Sequence, residues 1–454
     1  MYEKYKDNIE GNWQGNLNVG KIELPITFII KKDDIGDFTA KLFSPKQGQT
    51  IEANVITYKN KELQIDFNTI GGKFKGTYLP SFQKIGGKWY QRGQKFDVIL
   101  EQIANVNEIK RSQELHKPYP YVEEQVAYNS TEENITLAGT LTYPRNKSRF
   151  PATILISGSG ALDRDETIFG HHPFLVLADN LTRRGIAVLR VDDRGVGGST
   201  GNYMKSTSID IANDVIAGIN YLKSRKEIDP RKIGLIGHSE GGVIAPIVAN
   251  LSPDVAFIVL MAGPGLPLEE ILYKQAELIG RGENLSEDLI TMERSLQEKL
   301  FSIIKKESNN VLAKSKLEKV ISKALNKMKD QNLPILSQGS IEAQIEFMLS
   351  PWFRDFLKYD PRIALSQVKC PVLALNGEKD LQVPSKENLS AIELILKSNG
   401  NTHYEVKELP NLNHLFQTAQ TGALSEYVNI EETISPIALK VIGDWILEQS
   451  RNLT

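Results

Sequence analysis

Along the first hundred residues, apolar and polar positions alternate in short runs. Leu24-Pro-Ile-Thr-Phe-Ile-Ile, Phe38-Thr-Ala-Lys-Leu-Phe, Leu63-Gln-Ile-Asp-Phe and Phe96-Asp-Val-Ile-Leu are examples. Turn formers separate them, at Asp33-Asp34, Ser44-Pro45, Asn60, Gly71-Gly72 and Gly86-Gly87. A period of two with regular breaks predicts roughly eight strands in a small antiparallel barrel or sandwich over residues 1–105. Gly11-Asn-Trp-Gln-Gly and Gly87-Lys-Trp-Tyr-Gln-Arg-Gly echo one another near the two ends of this stretch. That echo suits a barrel whose first and last strands meet, with Trp13 and Trp89 inside it. A closed barrel of this size has room for one small ligand, but a filled interior is the simpler expectation. Residues 106–120 are polar and end in Lys117-Pro-Tyr-Pro. Consecutive X-Pro steps disfavour helix, so this stretch reads as a linker.

From residue 121 the period changes. Residues 123–128 and 135–142 alternate like a hairpin, and then strand and helix patterns take turns. Ala152-Thr-Ile-Leu-Ile reads as a strand, and Phe174, Leu177, Ala178 and Leu181 line one helical face. Ile186-Ala-Val-Leu-Arg-Val is the next strand, followed by a helix with Ile211, Val215, Ile219 and Leu222 inward. Lys232-Ile-Gly-Leu-Ile leads to a helix lined by Val243, Ile244, Ile247, Val248 and Leu251, with Pro246 as a local misfit inside it. Strands at Ala256-Phe-Ile-Val-Leu-Met, Pro371-Val-Leu-Ala-Leu and Tyr404-Glu-Val-Lys-Glu-Leu follow, then a helix from Pro436 to about Glu448. The repeat predicts an α/β domain over 121–454, with a mostly parallel sheet covered on both faces.

The alternation stops between about 265 and 360. That stretch has helical period, with Leu296, Leu300, Ile303 and Ile304 on one face and Pro334 and Gly339 as breaks. It is too long for a plain crossover. Leaving from the C-terminal side of a strand, it is expected to lie over the site as a helical lid.

Composition narrows the partners. The chain has 454 residues, 41% hydrophobic and 24% charged, with a net charge of −2. Nothing here argues for nucleic acid or an anionic membrane surface. No apolar run is long enough to span a bilayer. The polar start, Met1-Tyr-Glu-Lys-Tyr-Lys-Asp, has no apolar signal segment. A cytoplasmic place is expected from this, or a periplasmic or secreted one if a leader has been removed. Cys370 is the only cysteine, set before an apolar strand, so it reads as a small hydrophobe without a disulfide. Oligomeric state is left open.

The candidate chemistry centres on Gly237-His238-Ser239-Glu240-Gly241. This G-x-S-x-G falls between a predicted strand and a predicted helix, the context that gives the pattern meaning. Glycines let strand and helix approach closely, and Ser239 is pushed out above a helix N-terminus. A serine hydroxyl needs a base, and the base needs an acid to hold its tautomer. Of the later histidines, His403 opens its strand, whereas His414 follows the strand's C-terminal end, where sites in such sheets collect. His414 is therefore the base. The strand ending at Leu375 runs into Asn376-Gly-Glu-Lys-Asp380, making Asp380 the acid and Glu378 the reserve. The oxyanion donors are expected from the backbone N–H of Glu240 and of Ser159, with Gly160 as the alternative, in Ser157-Gly-Ser-Gly. Asp192, Asp193 and Arg194 read as a structural charge cluster, and Asp163-Arg-Asp-Glu166 as a solvated loop. His171-His172 lacks metal-site spacing.

These motifs, with Asp192-Asp-Arg-Gly-Val-Gly-Gly-Ser199 and the late Gly-Glu-Lys-Asp and Asn-His, resemble bacterial α/β-hydrolase-fold acyl esterases over about residues 120–450. More narrowly, the chain resembles carboxylesterases with a β-rich N-terminal domain. The resemblance implies the α/β-hydrolase sheet with a lid insertion, and a Ser-His-Asp carboxylesterase without cofactor or metal, acting on a small-molecule ester. It carries the triad onto Ser239, Asp380 and His414. The oxyanion loop departs from the family's common His-Gly start. Peptidase or thioesterase action, or ligand binding without catalysis, are the alternatives.

Overall fold

The structure, a computed structural model, describes residues 9–19, 22–33, 36–44, 49–91, 94–104, 111–132, 134–146, 149–330 and 338–452. The chain divides into two units, one of residues 1–110 with 169–171 and one of residues 111–168 with 172–454.

In the first unit, alternation yields a meander: β1 (Gly11–Val19), β2 (Ile22–Lys32), β3 (Phe38–Ser44), β4 (Gln49–Glu52), β5 (Val55–Lys59), β6 (Glu62–Phe67), β7 (Gly72–Leu79), β8 (Lys84–Gln91) and β9 (Gln94–Ile103). They form one antiparallel sheet of nine strands rather than eight, in the order β4-β3-β2-β1-β9-β8-β7-β6-β5. The first strand pairs with the last, Trp13 opposite Gln102. The sheet's edges, β4 and β5, are joined directly by Ala53-Asn54. There Ala53 N–H donates to Ala40 O on the β3 side and Asn54 N–H to Asp66 O on the β6 side. The sheet therefore curls into a barrel-like form whose edges meet at that link. Trp89 lies on β8, the strand before the last. Trp13, Phe28, Phe67, Phe74 and Trp89 are buried inside, with Phe28 5.0 Å from Phe74 and Phe67 5.8 Å from Trp89 between ring centroids. Aromatic side chains fill this interior.

The second unit runs β10 (Val122–Asn129), β11 (Thr136–Tyr143), β12 (Phe150–Ile156), α1 (Pro173–Arg183), β13 (Ala187–Val191), α2 (Ser208–Lys223), β14 (Ile228–His238), α3 (Gly241–Leu251) and β15 (Val255–Met261). It continues through α4 (Leu268–Gly282), α5 (Glu287–Lys306), α6 (Asn310–Asp330), α7 (Gln338–Leu349), α8 (Pro351–Lys358) and α9 (Pro361–Leu365). It ends with β16 (Val372–Gly377), α10 (Ser385–Ser398), β17 (Tyr404–Leu409), α11 (Leu424–Tyr427) and α12 (Pro436–Asn452), the last helix reaching past Glu448. The eight strands form one sheet in the order β10-β11-β13-β12-β14-β15-β16-β17. β12 to β17 pair in parallel, while β10 and β11 add an antiparallel edge. This is the α/β-hydrolase arrangement.

Strand periodicity divides the core in two. Ile154, Leu189, Leu235, Ile258 and Leu260 face α2, α3 and α10, whose buried side chains include Ile219, Val248 and Ile392. Their neighbours Leu155, Val188, Ile236, Phe257 and Val259 face α1 and α12, against Leu177, Ile442 and Ile446. Successive strand side chains point to opposite faces, so a sheet covered on both reads as a continuous apolar run.

Helices α4 to α8 make up the segment between β15 and α9. Leu300 and Ile304 of α5 are buried with Leu296 and Ile303 packed beside them, continuous with the α2/α3 face of the core. Gly339 lies inside α7 rather than between helices, and Pro334 falls outside the described residues.

Candidate active site

The topology fixes where a site belongs. From β12 the chain steps outward to β13, then returns across β12 to β14 and proceeds the other way to β15. Connections leaving in opposite directions open a crevice at the C-terminal ends of β12 and β14. The loop after β12 is Ser157-Gly-Ser-Gly, and the residue after β14 is Ser239.

Ser239 adopts φ +52°, a left-handed backbone that costs a non-glycine residue strain. Two bonds hold it there: its N–H donates to Met261 O at 2.8 Å, and Gly242 N–H donates to its carbonyl at 2.9 Å. The flanking glycines are steric necessities. A Cβ on Gly237 would stand 2.0 Å from Gly241 O, and one on Gly241 would stand 2.1 Å from Ile156 O. A Cβ on Gly158 would fall 3.4 Å from Ser239 Cβ, so the loop after β12 runs directly beside the serine.

His414 and Asp380 meet in the interior. His414 Nδ1 lies 2.7 Å from Asp380 Oδ2, and both side chains are buried. Asp380 Oδ1 accepts the N–H groups of Gln382 and Val383 at 2.8 and 2.9 Å, which fixes the carboxylate's orientation. His414 rides on a turn built by Asn413, whose Oδ1 accepts the N–H groups of Leu415 and Gln417, each at 3.0 Å. Its ring lies 4.9 Å from that of His238, the residue preceding Ser239. Glu378 accepts the N–H of Asn411 instead of facing the imidazole, and His403 stands beside Thr402 at the far end of β17.

Glu240 caps the start of α3, where the first N–H groups of a helix lack intrahelical partners. Its side chain is buried and points to two donors. Trp352 Nε1 of α8 donates to Oε1 at 2.9 Å and Tyr203 OH to Oε2 at 3.2 Å, with Ser159 nearby. Burial drives its carboxyl up to about 7, against the lowering effect of those donors. Gly160 takes φ +104°, a conformation suited to glycine.

The charged loop 163–166 is half-buried and paired, and its last residue, Glu166, is fully buried. Arg164 pairs with Asp192 at 2.6 Å. Asp163 Oδ1 accepts the N–H groups of Asp165 and Thr167, each at 3.0 Å. Glu166 is 2% exposed and lies 2.8 Å from His238 Nδ1. Arg194 pairs with Asp214 and Glu132. Asp193 accepts from Ser157 Oγ at 3.0 Å, and burial pushes its carboxyl well above the usual range. Among the described residues no group of three or more His, Cys, Asp or Glu side chains is placed to hold a metal ion. Burial pushes the Cys370 thiol up to about 12.

The family described as "Serine aminopeptidase, S33" matches residues 173–326, a span that holds Ser239 and ends before Asp380 and His414. Esterase EstD of Thermotoga maritima is 26% identical over 294 residues, which is 63% of this chain and 60% of that protein. The chain therefore matches about three fifths of the length of this curated relative. Among solved structures, an esterase of Pyrococcus furiosus, Pf2001, aligns at TM-score 0.45 and 16% identity, over 76% of this chain and 97% of that one. Est1E of Butyrivibrio proteoclasticus aligns at TM-score 0.40 and 16% identity, over 71% and 98%. The chain is similar to α/β-fold esterases, as its motifs lead one to expect.

Proposed function

We propose that this chain is a serine hydrolase that cleaves carboxylic esters through an acyl-enzyme. What carries the reading is the buried Asp380–His414 pair, set on loops at the same sheet edge as a serine held at φ +52°. Similarity to EstD, named an esterase, supports the ester as substrate.

In this reading His414 takes the proton of Ser239 as its oxygen attacks the acyl carbonyl, forming a tetrahedral oxyanion. Asp380 holds the Nδ1–H tautomer and stabilises the imidazolium. The N–H groups of Glu240 and Ser159 receive the oxyanion, each worth about 2.7–4 kcal/mol in the transition state. His414 then protonates the departing alkoxide. Water, deprotonated by the same imidazole, attacks the acyl-serine, and its collapse returns the acid and free Ser239. The helices α4 to α8 act as the lid over this site, with Trp352 reaching the nucleophile turn.

Ser239→Ala should abolish hydrolysis of p-nitrophenyl acetate and labelling by a fluorophosphonate; undiminished turnover refutes the assignment. The matching family's description favours one rival, amide cleavage at a peptide N-terminus. Short esters, thioesters and aminoacyl amides assayed side by side separate the two, the ester reading requiring the highest kcat/KM on esters.

A further inference from the structure

Beside the Asp380–His414 pair sits a second buried histidine–carboxylate couple that the mechanism above does not use. Glu166 Oε1 lies 2.8 Å from His238 Nδ1 and also accepts the N–H of Gly158 at 2.7 Å. On the other side of the ring, His238 Nε2 lies 3.0 Å from the carbonyl oxygen of His414. Glu166 and His238 are 2% and 5% exposed. The couple therefore touches three separate segments at once: the loop after β12, the nucleophile turn, and the turn that bears His414.

We propose that Glu166 and His238 are positioning residues, which fix the backbones of Gly158 and His414 relative to Ser239 through one continuous chain of hydrogen bonds. The inference rests on the acyl-hydrolase reading of the same site.

Counting protons shows why the chain needs an acid. A carbonyl oxygen only accepts, so His238 Nε2 must carry a hydrogen to bond His414 O. Gly158 N–H only donates, so Glu166 Oε1 must present a lone pair to it. One more proton then serves the short contact between Nδ1 and the carboxyl group. It rests on nitrogen as an imidazolium–carboxylate pair or on the carboxyl group as a neutral pair. Either way both outer bonds survive. Burial by itself would lower the pKa of His238, but the charge of Glu166 and its hydrogen bond overcome that and raise it. Asp380 and Asp193 are the other carboxyl groups near the couple.

A glutamine at 166 cannot satisfy this count. Its single carbonyl oxygen can face Gly158 and His238 together only if Nδ1 bears a hydrogen, either on a neutral ring or on an imidazolium that is then buried without the counter-charge of Glu166. On the neutral ring the chain breaks at its far end. Nε2 then turns a lone pair toward His414 O. Rotating the amide instead aims its NH2 at Gly158 N–H. Glu166→Gln thus breaks one bond of the chain or strands a buried charge, at constant volume.

The test uses the full chain. For Glu166→Gln we expect kcat on p-nitrophenyl acetate to fall about 10- to 100-fold, the scale of a misplaced catalytic group. KM should change far less, and fluorophosphonate labelling of Ser239 should slow by a similar factor while the melting temperature stays near wild type. Wild-type kcat in this variant overturns the proposal. If the variant fails to fold, histidine 15N spectra of the wild type decide, with His238 assigned through His238→Gln. The ring should keep a slowly exchanging Nε2–H and show no free titration between about pH 5 and 9. A ring that titrates as an ordinary imidazole overturns the proposal. A wild type that neither hydrolyses esters nor reacts with the fluorophosphonate removes the hydrolase reading itself, which is a different result from an active wild type beside an equally active variant.

Discussion

A carboxyl group stripped of water needs either donors or a proton, and Glu240 is poised between the two. Trp352, Ser159 and Tyr203 favour its charged form, while burial and the nearby Asp355 oppose it. Burial wins, and the carboxyl group rises from an ordinary 4.5 to about 7. The folded protein therefore holds more protons at this position than the unfolded chain between those two values. Stability must fall as pH rises through that window. At full size the effect is at most about 3 kcal/mol, since each pKa unit corresponds to about 1.36 kcal/mol. Glu240→Gln removes the ionisation but keeps an acceptor for Trp352. Melting curves should show the variant gaining on wild type as pH goes from 5 to 8.5 (about the range set by those pKa values), and a constant gap between them contradicts the assignment. Asp380 is fixed by geometry. Two backbone N–H groups hold its carboxylate beside His414. Asp380→Asn should cost about 10⁴-fold in kcat, because the amide can present its NH2 to Nδ1 and select the wrong tautomer. A loss below tenfold would show that the pair does not orient the base.

At the scale of elements, the nucleophile turn is where β12, β14 and α3 come closest. The Cβ positions at Gly237 and Gly241 are occupied by backbone oxygen, which cannot rotate away as a side chain can. Gly237→Ala or Gly241→Ala should therefore destabilise by about 1–3 kcal/mol or more and slow fluorophosphonate labelling, both measurable on the same preparation. This feature is readable in the sequence, because two glycines flanking a serine between an apolar run and an amphipathic helix have a local steric meaning. His414 is readable too, since chain order and the strand end leave few choices. Glu166 is not. Its partner lies 72 residues away, and Asp163-Arg-Asp-Glu has the local pattern of a solvated loop. Only the fold brings Asp192 to Arg164, Arg190 to Asp165 and His238 to Glu166. Trp352 escapes notice for a similar reason: an aromatic residue at the start of a helix reads as core, and its indole N–H finds Glu240 across 112 positions.

At the scale of the molecule, two units with separate cores follow from the change of period near residue 120, and the chain's own contacts sharpen that boundary. Residues 111–113 are fastened to the second unit. Arg111 donates to the carbonyls of Val428 and Ile430. Gln113 donates to Ile434 O at 2.8 Å and accepts from Thr433 and Ile434 N–H at 2.7 and 3.0 Å. The segment they grip is itself fastened to the turn bearing His414. Gln417 donates to Glu432 O at 3.0 Å, Thr418 N–H to the Glu432 side chain at 2.7 Å, and Ser435 N–H to Phe416 O at 2.8 Å. Polarity and prolines make residues 106–120 look like a passive linker, yet Arg111 and Gln113 in its middle brace the loop of the proposed base. A chain starting at Arg111 should keep near full-length kcat on p-nitrophenyl acetate. One starting at Tyr121 loses these bonds, each worth about 1 kcal/mol net, and leaves part-buried carbonyl and N–H groups of residues 428–434 unmatched. It should melt at lower temperature and turn over more slowly, with the deficit in kcat growing as temperature rises and the loop loosens. Equal melting and equal kcat for the two fragments would mean that the His414 turn stands without this brace.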